Sequence, residues 1–288
     1  MLSRLQRLSR QPAFRADPIG VMFRAGVLAA HVGMRRRPTF SLTHAGERLR
    51  TPADLRYTTV TAYLLRDWAE PELRVLDQLL KPGDIFIDVG ANIGLYTLKA
   101  ARLVGPSGRI VALEPGWDAY EQLLANLDLN RFPWVQALAT AASDREGEAV
   151  LHHVPLGDDP QAFSLIAHPD ALEGETVPTV RLDRLATEFE LERIDLIKID
   201  VEGAEPMVIE GAAQVLSKQR PAVLFECNAH INSGGDGAPA GEAWARLAAH
   251  GYRFHRLSGD RFREVNEPPA DFCNILACHR DKPAPFPS

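Results

Sequence analysis

The sequence predicts an α/β protein with a doubly wound, mostly parallel sheet and a helical N-terminal extension. Short apolar runs, such as residues 85–87 and 109–113, alternate with stretches of helical periodicity. A turn with two glycines joins the first run to a predicted helix over residues 95–103. Acidic residues follow the ends of successive runs, at the sheet edge where open α/β folds bind ligands. These three observations place a ligand site near residue 90.

Length and charge limit the alternatives. The 288 residues suffice for one large α/β domain with an extension, and we expect a basic helical extension with a small hairpin over 1–67 and a globular domain over 68–288. The formal net charge is −6, yet residues 1–37 contain eight arginines and a single acid. The remainder of the chain is therefore acidic, which argues against nucleic acid as a partner.

The first ten residues predict a short amphipathic helix, with leucines on one side and arginines on the other. Such a helix would allow peripheral contact with an anionic membrane or a partner, and its composition also resembles a transit peptide. The alternative is a frayed arm without a function. No uncharged apolar stretch reaches roughly 18 residues, so we predict no membrane span. The three cysteines lack metal or disulfide spacing, and a cytoplasmic location is expected.

The glycine turn after residue 87 has the features of a nucleoside site. Gly90 and Gly94 bracket the turn, Asn92 lies between them, and Glu114 ends the next predicted strand. An acid in the position of Glu114 accepts hydrogen bonds from ribose hydroxyls. Asp88 before the turn repels phosphate and attracts a cation, which favours S-adenosylmethionine over a dinucleotide. The alternative is a close-packed turn without a ligand.

Residues 134–140 predict a third strand, and the loop after it contains Asp144. In a doubly wound fold this loop lies beside the adenine, so Asp144 is either an acceptor for the exocyclic amine or a turn aspartate. Residues 149–154 and 176–181 predict strands, separated by a Pro/Asp/Gly-rich loop with Ser164 and His168. We interpret this loop as a lid over the substrate side.

A second group of polar residues follows two later strands, predicted over 194–199 and 222–225. Because the carboxyl ends of parallel strands meet at one edge, these side chains should lie together. The group consists of Lys198, Asp200, Glu202, Glu205, Glu226, Asn228 and His230.

Together these motifs resemble the FkbM-type methyltransferase family over roughly residues 68–257. The resemblance implies a seven-stranded sheet of the class I S-adenosylmethionine-dependent type, with methyl transfer to a hydroxyl of a sugar, polyketide or related metabolite. It implies that the glycine turn, Asp88, Asn92 and Glu114 contact the cofactor. The matching segments are Asp88-Val-Gly-Ala-Asn-Ile-Gly94, Glu114, Leu182-Asp183, Lys198-Ile-Asp-Val-Glu-Gly-Ala-Glu205 and Phe225-Glu226.

A hydroxyl acceptor must lose its proton, and Asp200, Glu202 and Glu205 are the candidate bases, with His230 behind them. Lys198 would orient a carboxylate or contact the acceptor oxygen. A sharper alternative is a magnesium ion held by Asp200, Glu226 and Asn228. The plain alternative is that these acids stabilise a helix N-terminus or pair with Lys198.

Two further functions stay open, and a third is disfavoured. N-methylation of a small amine or peptide could use the same site, and a non-catalytic cofactor-binding module could act through the N-terminal arm. A nicotinamide enzyme is disfavoured, because the third glycine of the dinucleotide fingerprint is missing: Gly94 is followed by Leu95 and Tyr96. The identity of the acceptor is not encoded, although Ser164, His168 and the loops over 155–178 and 229–241 are expected to shape its pocket.

Overall fold

The computed structural model describes residues 12–156, 159–166, 172–227, 241–271 and 273–286. Its centre is an eight-stranded sheet of five parallel strands, with the last three strands of the chain pairing antiparallel at one side. The strands are β3 (Ile85–Val89), β4 (Arg109–Leu113), β5 (Val135–Leu138), β10 (Leu196–Ile199), β11 (Ala222–Cys227), β12 (Tyr252–Ser258), β13 (Arg261–Val265) and β14 (Cys273–His279). Their order across the sheet is β13-β12-β14-β11-β10-β3-β4-β5.

This sheet confirms the predicted doubly wound, mostly parallel architecture. It has one strand more than the seven implied by the family resemblance, because β13 pairs with β12 at the edge. Successive residues of each strand enter two different cores: Phe86 packs into the core on one face and Ile87 into the core on the other. Both faces are therefore covered, which explains why the strands are apolar throughout rather than alternating.

Helices cover both faces of the sheet. In the N-terminal part are α1 (Pro12–Ala16), α2 (Pro18–Gly33), α3 (Tyr57–Leu65) and α4 (Pro71–Arg74). The later helices are α5 (Leu95–Val104), α6 (Trp117–Asn130), α7 (Leu182–Glu188), α8 (Glu205–Gly211), α9 (Ala213–Lys218) and α10 (Glu242–Ala249). None of the helices in the described part of the chain is long and apolar enough to cross a bilayer.

The helical periodicity of residues 57–80 predicts one helix, but the structure breaks it into four short pieces. The chain forms α3, a 3-10 turn (Arg66–Trp68), α4 and a second 3-10 turn (Leu76–Gln78). Arg66 adopts a φ of 60°, which ends α3, and Pro71 begins α4 at the first helical position, where the missing N–H costs nothing. The break places Glu70 at the start of α4, in the wall of a cavity at the sheet edge.

A second, four-stranded sheet replaces much of the predicted lid loop. Its strands are β6 (Ala141–Ala142), β7 (Gly147–Leu156), β8 (Asp159–Ser164) and β9 (Leu172–Val180), in the order β6-β9-β7-β8. The expected loop between two strands therefore contains a further strand, β8, which pairs antiparallel with β7. His168 lies outside the described residues.

The N-terminal extension packs directly on the main domain. It includes a hairpin of β1 (Thr39–Ser41) and β2 (Arg48–Arg50), which confirms the predicted hairpin. The amide group of Asn126 on α6 accepts from the backbone N–H of Arg50 at 2.8 Å and donates to its carbonyl at 3.1 Å. Phe40 and Leu49 are buried in the same core as Phe86. One apolar core thus runs across the predicted boundary at residue 67.

Candidate active site

One large cavity lies over the carboxyl ends of the central strands and encloses about 1050 Å³. The glycine turn after β3 and the end of β4 line one part of it, and residues after β10 and β11 line another. Residues 52–62 of the N-terminal extension complete the wall. A volume of this size exceeds what one nucleoside needs, so a cofactor and a second ligand fit side by side.

The glycine turn has a conformation that the sequence requires. Gly90 adopts a φ of +78°, and a Cβ there would lie 1.9 Å from the backbone oxygen of Asp200. Any side chain would therefore push the β3 turn away from the β10 loop. Gly94 also has a positive φ, +98°. Asn92, two residues earlier, has a φ of +49°, a conformation that asparagine tolerates better than most residues.

Glu114 joins the turn to the end of β4. Its Oε2 accepts from the backbone N–H of Asn92 at 2.8 Å, and its Oε1 accepts from that of Gly116 at 2.8 Å. Burial raises the pKa of Glu114 to about 7, against the opposing effect of these two amides. Each carboxylate oxygen can accept more than one hydrogen bond, and Glu114 lines the cavity. It is placed to accept two neighbouring hydroxyls.

Asp88 does not line the cavity. Its side chain is fully buried beneath the turn, where Oδ2 accepts from the Thr97 hydroxyl at 2.5 Å. Its Oδ1 lies 3.9 Å from Nζ of Lys198 and has no hydrogen-bond partner among the described residues. Burial raises the pKa of Asp88. The structure therefore places Asp88 under the predicted cofactor contacts, where it fixes α5 and Lys198 rather than touching a ligand.

Lys198 links both parts of the cavity. Its Nζ donates to Oδ2 of Asp200 at 3.0 Å and lies 4.7 Å from the centre of the Tyr96 ring. Burial acts to lower the pKa of Lys198, but the carboxylates of Asp200 and Asp88 raise it overall. The amine is thus a fixed cation, and Asp200, which is about one-third exposed, is held beside it at the cavity wall.

Glu226 also lines the cavity, next to Asp200. Only 6% of its surface is exposed, and no donor in the described part of the chain contacts its Oε2. Burial, followed by repulsion from Asp200 and Glu202, raises the pKa of Glu226 well above its ordinary value. A buried carboxylate oxygen without a hydrogen bond is costly in a folded protein, so Oε2 of Glu226 is a candidate contact for a ligand in the cavity.

Sequence analysis missed two acids in this wall, Glu70 and Glu72. Burial raises the pKa of Glu70 to about 7, although Lys198 opposes this effect. The hydroxyl of Tyr96 is near Glu70 but is buried without a well-formed hydrogen bond to any described residue. Glu72 accepts from the amide of Asn274 on β14 at 3.1 Å. No local pattern marks these residues, because they reach the site only through the break at Pro71.

Glu205 has a structural task. Its Oε1 accepts from the backbone N–H groups of Val201 at 3.3 Å and Gly203 at 3.2 Å, and burial raises its pKa to about 7. It does not line the cavity, so the predicted role as a base does not fit its position. Glu202, within the loop that Glu205 holds, lines the cavity with a φ of +52°. The Ser164 hydroxyl donates to its carbonyl at 2.9 Å, which ties β8 to this loop.

Comparison with known proteins identifies the family. The family described as methyltransferase FkbM domain matches residues 88–254, which is more than half of the chain. The chain belongs to the FkbM methyltransferase family. The matched range contains the glycine turn, Glu114 and the whole Lys198–Glu205 segment, so the predicted resemblance is confirmed.

The individual relatives share about a third or less of their residues with this chain. The AMB antimetabolite synthetase AmbE of Pseudomonas aeruginosa is 31% identical over 232 residues, which cover 67% of this chain and 10% of that protein. The 2-O-methyltransferase NoeI of Sinorhizobium fredii is 30% identical over 161 residues, 51% of this chain and 65% of its own. The solved structure of the methyltransferase FkbM of Methylobacillus flagellatus is 15% identical in sequence, with a TM-score of 0.43. The match covers 92% of this chain and 62% of that chain. The chain thus spans less than two thirds of the first two relatives.

The cavity of this FkbM-family chain fits S-adenosylmethionine. The carboxylate of Glu114 and the backbone of the Gly90 turn both line it, next to each other. The acids at the turn suit a ligand that carries positive charge and no phosphate. Asp144, however, does not line this cavity: its carboxylate accepts from Arg145 and Ser143, at a separate recess. Thr140 and Ala141 line the cavity instead, and Asp144 as an adenine contact stays a prediction.

The predicted magnesium site gains no support. In the part of the chain that the structure describes, no three histidine, cysteine, aspartate or glutamate side chains are grouped to hold a metal ion. Asp200 turns towards Lys198, and Asn228 and His230 lie outside the described residues. Lys198 already pairs with Asp200, and burial raises the pKa of Glu226, so these two described carboxyl groups do not form a ligand set for a metal ion.

Proposed function

We propose that this chain transfers a methyl group from S-adenosylmethionine to a hydroxyl group of a small molecule or glycan. The observation that carries the proposal is a single cavity with a nucleoside-type end at Glu114 and a carboxyl pair, Asp200 and Glu226, at the other. Two ligands in one cavity bring a donor and an acceptor into reacting distance, and such positioning supplies much of the acceleration in methyl transfer.

The donor end requires few residues. Glu114 holds the ribose, and the backbone around Gly90 and Asn92 lies against the nucleoside. Asp88 keeps Lys198 and α5 in place from below. When bound, S-adenosylmethionine supplies the methyl group on a positively charged sulfur. The buried carboxylates do not need to contact that sulfur, since its charge disappears as the reaction proceeds.

At the acceptor end, Asp200 and Glu226 have different surroundings and therefore different roles. Asp200, which lies in the cavity wall beside Lys198, accepts the proton of the acceptor hydroxyl. Burial and the neighbouring acids raise the pKa of Glu226, which favours its protonated form, and a protonated Glu226 donates a hydrogen bond to a second oxygen of the acceptor. This division of roles uses Lys198 and Asp200 as predicted and adds Glu226, while Glu205 supports the loop.

The name of NoeI as a 2-O-methyltransferase supports a hydroxyl acceptor. Asp200 and Glu202 in the lining favour a neutral or cationic acceptor over an anionic one, because like charges in a buried cavity repel. An acceptor with several neighbouring hydroxyls would satisfy both Asp200 and Glu226.

Titration calorimetry with S-adenosylhomocysteine tests the donor end. We expect saturable one-site binding, lost in Glu114→Ala, and no binding of NAD. Absence of binding in the wild type, or equal binding of NAD, would contradict the proposal.

Transfer of tritiated methyl groups to neutral glycosides and to the matching amino sugars tests the acceptor end. We expect labelled ethers from the glycosides, and a fall in kcat of roughly 100-fold or more in Asp200→Asn. The matched control is Glu192→Gln, an exposed acid away from the cavity, which should keep the wild-type rate. Label found only on the amino group would favour N-methylation.

A further inference from the structure

Helix α2 presents an apolar face to solvent. Ile19, Met22 and Phe23 are 83%, 53% and 72% exposed, and Met34, just past the end of the helix, is 56% exposed. Exposed large apolar residues are ordinary when single, but these follow one another along one short segment. We refer to Ile19, Met22, Phe23 and Met34 as the α2 apolar face.

The periodicity of α2 shows that this face is continuous. At 3.6 residues per turn, the positions between Phe23 and Met34 on the same side are Gly26, Ala29, Ala30 and Gly33, and all four are exposed. The opposite side carries Val21 and Leu28, which are buried in the core. The helix is therefore apolar on both sides, and only the inner side has a partner within the described residues.

The ends of this face are basic. Arg15 precedes it, and Arg35, Arg36 and Arg37 follow it, all exposed. The acid nearby, Asp17, is occupied as the N-cap of α2 and by Arg24 at 3.4 Å. Residues 1–11 add three arginines and no acid to the composition of this part of the chain.

We propose that the α2 apolar face docks on the surface of an anionic lipid bilayer. An apolar helix face with flanking arginines combines burial among acyl chains with attraction to anionic headgroups. A second copy of the chain fits less well. In an antiparallel pair, Arg15 of one copy would lie beside Arg35–Arg37 of the other, with no free acid in the described part of the segment to neutralise them.

This contact has a geometric consequence for the cavity. Arg37 stands three residues after Met34 and lines the cavity, as do Arg56 and Asp54 of the same extension. A bilayer held against α2 would therefore lie next to one wall of the cavity. The lipid contact itself does not depend on methyl transfer.

Sedimentation with vesicles tests the proposal. The full chain is mixed with vesicles of phosphatidylcholine alone or with phosphatidylglycerol, at low and high salt. We expect binding to the anionic vesicles that weakens with salt, and little binding to the neutral ones. Phe23→Ser should weaken binding roughly tenfold, from the loss of one buried aromatic side chain. The matched control Val150→Ser removes an exposed apolar residue elsewhere and should have no effect.

A charge variant completes the test. Arg35→Glu with Arg36→Glu should weaken vesicle binding at least tenfold, whereas Arg263→Glu on the exposed edge strand should not. Unchanged thermal melting in every variant shows that the fold is kept. Three outcomes would overturn the proposal: no vesicle binding, a concentration-dependent dimer that Phe23→Ser dissociates, or vesicle binding that appears only after removal of residues 1–11. The last two would assign the face to a second copy or to the chain's own first residues.

Discussion

At the residue scale, the burial of Glu114 should make cofactor binding depend on pH. Burial raises its pKa to about 7, so the carboxylate that we propose as the acceptor of the ribose hydroxyls is only partly formed below that pH. We predict that affinity for S-adenosylhomocysteine rises with pH up to about 8, falling roughly tenfold for each unit well below the pKa. Calorimetry between pH 5.5 and 8.5 measures this directly.

The variant Glu114→Gln isolates the contribution of this residue. It should bind weakly at every pH, because an amide replaces one acceptor with a donor, and the steep part of the pH profile should disappear. Glu205 also has a pKa of about 7 but touches no cavity, so Glu205→Gln should keep the wild-type profile. A wild-type affinity that does not change with pH would contradict the assignment of Glu114.

Glu205 itself permits a second residue-scale prediction. Its carboxylate accepts from two backbone N–H groups, and a glutamine carbonyl can accept the same hydrogen bonds. We expect Glu205→Gln to keep kcat within a few-fold of wild type, whereas Glu205→Ala loses roughly 1–3 kcal/mol of stability and slows transfer. Urea unfolding and steady-state rates measure the two effects. A large loss of kcat in Glu205→Gln with unchanged stability would instead make Glu205 a base.

At the element scale, the β3 turn and the β10 loop are locked together at Gly90. A Cβ at this position would lie 1.9 Å from the backbone oxygen of Asp200, so both segments would have to move. We predict that Gly90→Ala lowers the free energy of unfolding by about 3 kcal/mol and abolishes cofactor binding. Gly26→Ala is the matched control, since a Cβ there meets nothing within 4 Å, and it should stabilise α2 by roughly 0.5–1 kcal/mol. Equal stability of the two variants in urea would disprove this packing.

The four-stranded sheet shows where element prediction from sequence failed. Among the side chains that the structure describes in this sheet, Ala141, Leu151 and Val177 form a buried cluster, and Leu165 packs against it. The sequence predicts the strands over 149–154 and 176–181, but it does not indicate β8, which pairs with β7 inside the region expected to be a loop. The β3–β4 segment was predictable, because strands buried on both faces must be apolar throughout.

At the scale of the whole molecule, the predictable part of the site is the part that follows strand ends. Parallel strands bring their carboxyl ends together, so Glu114, Asp200 and Glu226 can be grouped from the amino-acid sequence alone. Glu70 and the wall over residues 52–62 cannot, since they precede β3 in the chain and reach the cavity only through long-range packing. Whether Asp88 or Glu205 faces a ligand also depends on side-chain direction, which strand position alone does not determine.

The same long-range packing predicts the result of truncation. Phe40, Leu42 and Leu49 of the extension are buried in the core that contains Phe86, and burial stabilises such side chains by roughly 1.5–3 kcal/mol each. Their sum approaches the whole stability of an ordinary domain, about 5–15 kcal/mol. We therefore expect a chain without residues 1–50 to lose its cooperative thermal transition, whereas a chain without residues 1–11 melts like the full protein. A cooperative transition in the shorter chain, with cofactor binding retained, would show that the extension is a separate unit, as a domain boundary at residue 67 implies.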